Sequence, residues 1–131
     1  MKKLHQLFIF TTCFLSTQNF VYSYSDTDVT AGEYLYAQCS GCHSPGYHRT
    51  GPKHCGLLGR RAGSIAEYEF TPDMKDSGII WTYKTLNKFL KAPLDMIPNT
   101  SMGFSGIASD KERRQLIKFL STLTEKSPLC R

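Results

Sequence analysis

At 131 residues with a formal charge of +5, the chain has room for one small domain with a modest core. Its charge is spread without a Lys/Arg-rich tract, which argues against nucleic-acid binding. Five cysteines in so short a chain make thiol chemistry or a covalently held group the first thing to account for.

Residues 1–23 read as a secretory signal peptide. Lys2 and Lys3 precede an apolar run, Leu7-Phe8-Ile9-Phe10 through Phe14-Leu15, and Val21-Tyr22-Ser23 places small or β-branched residues where a signal peptidase cuts. The run is short and interrupted by Thr, Ser, Gln and Asn, too broken to span a bilayer well. A retained anchor is the alternative. The expectation is an exported, soluble chain of residues 24–131 with a charge of +3, from which Cys13 has been removed with the leader.

After Asp28, a fair N-cap, residues 29–40 carry Ala31 and Leu35, with Gly32 and Tyr36 one position round, at helical spacing. Residues 44–64 hold Pro45-Gly46, Gly51-Pro52, Gly56, Gly59 and Gly63, which is loop chemistry. Thr71-Pro72-Asp73 predicts a short helix ended by Gly78. Thr82 caps a helix with Leu86, Phe89 and Leu90 on one face, and Pro93 stops it. A second loop spans residues 93–109. The sequence Ser109-Asp110-Lys111-Glu112 is a capping box ahead of a last helix with Leu116, Ile117, Phe119, Leu120 and Leu123 on its apolar face. No run alternates with period 2, so the fold class expected is all-α, one domain, with loops long enough to need a reason.

Cys39-Ser40-Gly41-Cys42-His43 supplies one. Two thiols three residues apart on a helical turn reach both vinyl groups of a c-type haem, and the adjacent imidazole reaches its iron. The same residues also fit a redox disulfide, half of a zinc site, or chance.

From Gly32 to about Leu123 the order of motifs resembles a class I cytochrome c, of the mitochondrial and short soluble bacterial kind. After Cys39-x-x-Cys42-His43 come Gly51-Pro52, Gly56-Leu57-x-Gly59-Arg60, Gly78-Ile79-x-Trp81 and Ile97-Pro98-x-Thr100-x-Met102-x-Phe104-x-Gly106. The resemblance implies one haem c bound covalently through Cys39 and Cys42, with His43 and Met102 as axial ligands. That pair raises haem potentials and leaves no open position on the iron, which implies electron transfer and not enzymatic catalysis. Met74 and Met96 would then be core filler. By the same resemblance the Pro52 carbonyl accepts the Nδ1 proton of His43. Trp81, Arg60 and Thr71 stand where the family meets haem propionates, and Thr100 belongs to the loop that presents Met102. Gly32 and Tyr36 would meet Leu116 and Phe119 where the first and last helices cross.

The chain departs from the family at Phe70, Met74 and Phe89, where two tyrosines and an asparagine are common, so a poorer polar network on the methionine side is expected. Gln38, Leu94, Asp95, Ser101, Ala108 and Ser109 stand where family lysines often ring the haem edge, which points to docking driven less by charge. Cys55 and Cys130 remain; in an oxidising compartment such a pair is usually bridged, and in the family fold the loop after Pro52 lies near the last helix. The partners implied are a cytochrome bc complex, a terminal oxidase or a dehydrogenase, met as a periplasmic monomer. The rival reading is a small exported zinc-binding or thiol–disulfide protein using Cys39, Cys42, His43 and Cys55.

Overall fold

The computed structural model describes residues 26–131. The signal-peptide reading of residues 1–23 lies outside that range. Within it the chain forms five α-helices, α1 (Asp26–Tyr36), α2 (Pro72–Asp76), α3 (Tyr83–Lys91), α4 (Pro93–Met96) and α5 (Asp110–Thr122), and a 3₁₀ turn, Pro128–Cys130. The described residues contain no β-strand; one isolated antiparallel bridge joins Arg61 to Ile80. The all-α expectation holds, and the residues between the helices form two long loops.

Several boundaries differ from the sequence reading, each for a local reason. Among the described residues α1 already runs from Asp26, so Asp28 lies inside it and does not cap it; its carboxylate accepts a hydrogen bond from Gln115 Nε2 on α5 at 3.0 Å. The helix ends at Tyr36, and tighter turns carry the chain on to Cys42. Pro93 does stop α3, yet it also opens α4, since a proline at the first helical position lacks only an N–H that the helix would leave unpaired. Thr71 and Thr82 cap α2 and α3 as read, the latter through a reciprocal bond with Thr85. At α5 the Ser109 hydroxyl accepts from Glu112 N at 3.3 Å, the forward half of the capping box.

Helices α1 and α5 cross at Gly32. A Cβ at that position would stand 2.7 Å from the Gln115 carbonyl carbon and 2.8 Å from Phe119 Cβ, so only glycine lets the backbones approach this closely. Tyr36 packs its ring on Phe119 with centroids 5.2 Å apart, and Leu116, Ile117 and Leu123 are essentially inaccessible. Arg113, buried on α5, reaches Asn87 of α3 and Asp110, and donates to the carbonyls of Ile107 and Ala108 at 2.6 and 2.7 Å. It thereby fastens the end of the second loop to the two helices. Cys55 and Cys130 form a disulfide, with Cα atoms 5.7 Å apart, that ties the first loop to the C-terminal turn.

The disulfide closes a span of 75 residues, for which loss of unfolded-chain entropy gives up to ~4 kcal/mol. Replacing both cysteines by serine should lower the free energy of unfolding by about 2–4 kcal/mol, read from the denaturant midpoint under oxidising conditions. An unchanged midpoint would show that the bridge does not constrain the chain.

Candidate functional site

The two long loops and the apolar faces of α3 and α5 enclose a cleft of about 250 Å³. Leu86, Phe89 and Leu90 face it from α3, Leu116 and Leu120 from α5, and Met74 from α2. Cys39, Cys42 and His43 enter from the turn after α1, Met102 from the second loop. Of the other residues singled out in the sequence, Pro52, Arg60, Trp81 and Thr100 also line the cleft. Thr71 does not; its hydroxyl accepts from Met74 N at 3.3 Å as the cap of α2.

The turn carrying the motif is closed by His43 N donating to Cys39 O at 2.9 Å and Cys42 N donating to the same carbonyl at 3.1 Å. One helical turn therefore presents both thiols and the imidazole together. Both thiols are free, Cys39 partly buried and Cys42 exposed. Burial, and then the neighbouring Cys42, pushes the Cys39 thiol up to about 11, so it stays protonated at neutral pH.

His43 is held from two sides. Its Nδ1 donates to the Pro52 carbonyl at 2.7 Å, which fixes the tautomer and leaves Nε2 as the lone-pair nitrogen. Burial lowers its proton affinity, and the Pro52 acceptor partly offsets this. Gly51 passes so close to the ring that a Cβ there would lie 2.6 Å from Nδ1 and 2.7 Å from Nε2. The main chain ties this loop back to the motif, with Gly51 N donating to Cys42 O at 2.7 Å.

Around Met102 the second loop is a chain of short bonds. Thr100 N donates to Ile97 O at 3.2 Å, Met102 N to Thr100 Oγ1 at 3.3 Å, and Ile107 N to Leu90 O at 2.8 Å. Met96 packs against the core outside the cleft, whereas Met74 lines it alongside Met102. Arg60 donates to Cys55 O at 2.9 Å and Lys53 O at 3.1 Å, so its guanidinium is partly engaged by the first loop. Phe70, Met74 and Phe89 make the cleft wall apolar, as their departure from the family pattern implies. Among exposed residues lining the cleft, Gln38, Cys42, Thr50, Ser101 and Gly103 are neutral and only Arg61 is charged. Lys84, Lys88 and Lys91 point the other way and border a separate groove with Arg114.

Two residues of the cleft were not singled out in the sequence. His54 is partly buried and stacks on the His43 ring. Tyr68 lines the cleft and donates to Thr50 O at 2.5 Å. Neither has a local signal, because each acquires its neighbour only when the first loop closes.

The donor set fits a covalently held haem. Two free thiols lie three residues apart, an imidazole is locked in the tautomer that offers Nε2, a thioether borders the same cleft, and the walls are apolar. A zinc site built on the same cysteines would lack Cys55, which is bonded to Cys130; among the described residues no group of three or more His, Cys, Asp or Glu could hold a metal ion.

Comparison with known proteins agrees. Residues 29–124 match the family model described as cytochrome c. The chain is 36% identical over 100 residues to cytochrome c2 of Afifella marina, covering 72% of this chain and 81% of that one. It is 39% identical over 98 residues to cytochrome c of Tetrahymena pyriformis, covering 73% and 89%. The solved structure of cytochrome cH from Methylobacterium extorquens superposes with a TM-score of 0.71 at 34% identity, covering 72% of this chain and 98% of that one.

Gly51→Ala tests how tightly the His43 ring is packed. The added methyl must displace the ring or the loop, at a cost of about 1–3 kcal/mol. The expected result is a lower unfolding midpoint together with a perturbed environment of His43 in the NMR spectrum. A variant matching the parent in both would show that the loop has room to spare.

Proposed function

Because the chain belongs to the cytochrome c family, whose members bind haem c covalently through cysteines and carry electrons, we propose that residues 24–131 form an exported, periplasmic monohaem carrier. In this reading Cys39 and Cys42 form the thioethers, and His43 and Met102 are the axial ligands. The observation that carries it is the convergence on one cleft of two free thiols, an imidazole locked through Nδ1 and the thioether of Met102.

Haem c supplies a one-electron iron couple; the protein's residues bind it, orient it and shield it. Pro52 holds the His43 ring with Nε2 available and increases its basicity. The loop bonds around Thr100 fasten the segment that carries Met102 to the cleft. Leu86, Phe89, Leu116 and Leu120 exclude water from the interior face, which favours the less charged, reduced state. Trp81 and Arg60, which line the cleft wall, would meet the propionates, and Thr71 caps α2 with its own O–H still able to donate. With His43 and Met102 both on the iron, no coordination site would remain for a substrate, as suits a carrier. Among the described residues no helix is long and apolar enough to cross a membrane. The partners that fit are a cytochrome bc complex, a terminal oxidase or a dehydrogenase.

Ligation is tested by substitution. Met102→Ala should abolish the sulfur-to-iron charge-transfer absorption and lower the midpoint potential, while Met74→Ala and Met96→Ala keep the band. Loss of the band in Met74→Ala instead would move the sulfur ligand to α2, since Met74 borders the same cleft.

The neutral rim of the cleft sets a second expectation. Charge-steered association slows sharply as salt shortens the Debye length to about 8–10 Å. Only Arg61 is charged among the exposed cleft residues, and the α3 lysines point elsewhere, so electron transfer with the native partner should change little with ionic strength. A steep decline in stopped-flow rates would place the docking face on the lysine side.

A further inference from the structure

His54 lies behind the imidazole that the proposed function assigns to iron. Its ring stacks on His43 with centroids 4.2 Å apart and planes inclined by 23°. Its Nδ1 shares a hydrogen bond of 3.0 Å with the Tyr36 hydroxyl. The Tyr36 ring meets His54 edge-on at 5.6 Å and packs on Phe119 at 5.2 Å. A continuous column of rings, Phe119–Tyr36–His54–His43, therefore runs from the crossing of α1 and α5 to the axial nitrogen.

One hydrogen bond fixes the tautomer of an imidazole, but a carbonyl accepts over a broad range of directions, so some rotation about Cβ–Cγ remains. The Pro52 contact alone would leave the His43 plane under-determined. A flat partner lying nearly parallel removes that freedom, and the Tyr36 hydroxyl keeps the partner from turning in its own pocket. An aliphatic side chain at position 54 would fill the space without defining a plane. We infer that His54 is a positioning residue for the haem iron: it sets the plane of the His43 ring and couples that plane to the packing of α1 on α5.

The inference rests on ligation by His43, and two consequences follow. Ring orientation at an axial ligand determines the magnetic anisotropy of low-spin ferric iron, hence the order and spread of the hyperfine-shifted haem-methyl resonances. In addition, an imidazole bound to ferric iron bears part of its positive charge, and the π face of His54 favours that state in the manner of a cation–π contact.

The experiment is proton NMR of the ferric holoprotein with redox titration, for the parent and for His54→Leu, His54→Phe and Tyr36→Phe. His54→Leu should reorder the haem-methyl shifts and bias the iron about three-fold toward the ferrous state, about 28 mV at 59 mV per tenfold. His54→Phe, which keeps the flat ring, should retain the parental order. An unchanged shift order and potential in His54→Leu would overturn the proposal. If His54→Leu does not accumulate as holoprotein, Tyr36→Phe decides, because it deletes only the hydroxyl: an altered shift order supports the column and an unaltered one overturns it. A parent spectrum without hyperfine-shifted ring resonances from His43 would instead overturn ligation by His43, and is read before any variant.

Discussion

The hydrogen bond from His43 Nδ1 to the Pro52 carbonyl is the constraint on which the site depends. It joins the motif turn to the first loop, so the loop that frames the cleft is folded by the same contact that selects the tautomer of the ligand. Proline suits the role because it contributes an acceptor without an N–H that would need a partner. Gly51 suits its own because any side chain would enter the imidazole. The adjacent backbone bond from Gly51 N to Cys42 O makes the arrangement two-point, and a two-point closure resists hinging where a single one would not.

The frame that holds this loop is the crossing of α1 and α5, and the two are mechanically continuous. Tyr36 serves both, packing on Phe119 on one side and bonding His54 on the other. Burial of its ring and the nearby Cys39 raise the proton affinity of its hydroxyl, which stays neutral and available for that bond. The disulfide fastens the far end of the loop to the C-terminal turn, and Gly56 N donates to Leu123 O at 2.7 Å just beside it. Arg113 does the equivalent for the second loop. A small chain with more than half its described length outside helices thus fastens both long loops to the helical frame.

How much of this was legible in the sequence follows from the range of each interaction. The capping threonines and the motif turn are set by residues within four positions of one another, and they were read correctly. The order of motifs pointed to the family, and with it to the Pro52 acceptor, the Gly32 crossing and the Cys55–Cys130 pair. Asp28 was misread because a carboxylate that caps locally can also bond across 87 residues, and the Gln115 amide wins. His54, Tyr68 and Arg113 carried no signal, since a loop histidine, a loop tyrosine and a helix arginine are ordinary until tertiary structure supplies their partners.

The apolar wall and the neutral rim belong to one physical choice. Phe70, Met74 and Phe89 remove polar groups from the interior, so fewer dipoles are available to stabilise charge there. Gln38 and Ser101 stand at the mouth where family lysines are common, so fewer ions gather there. The lysines of α3 keep the chain basic without bringing that charge to the cleft. In the proposed carrier such a rim would make association depend on fit more than on field, and a small, weakly charged contact would release the partner readily after transfer.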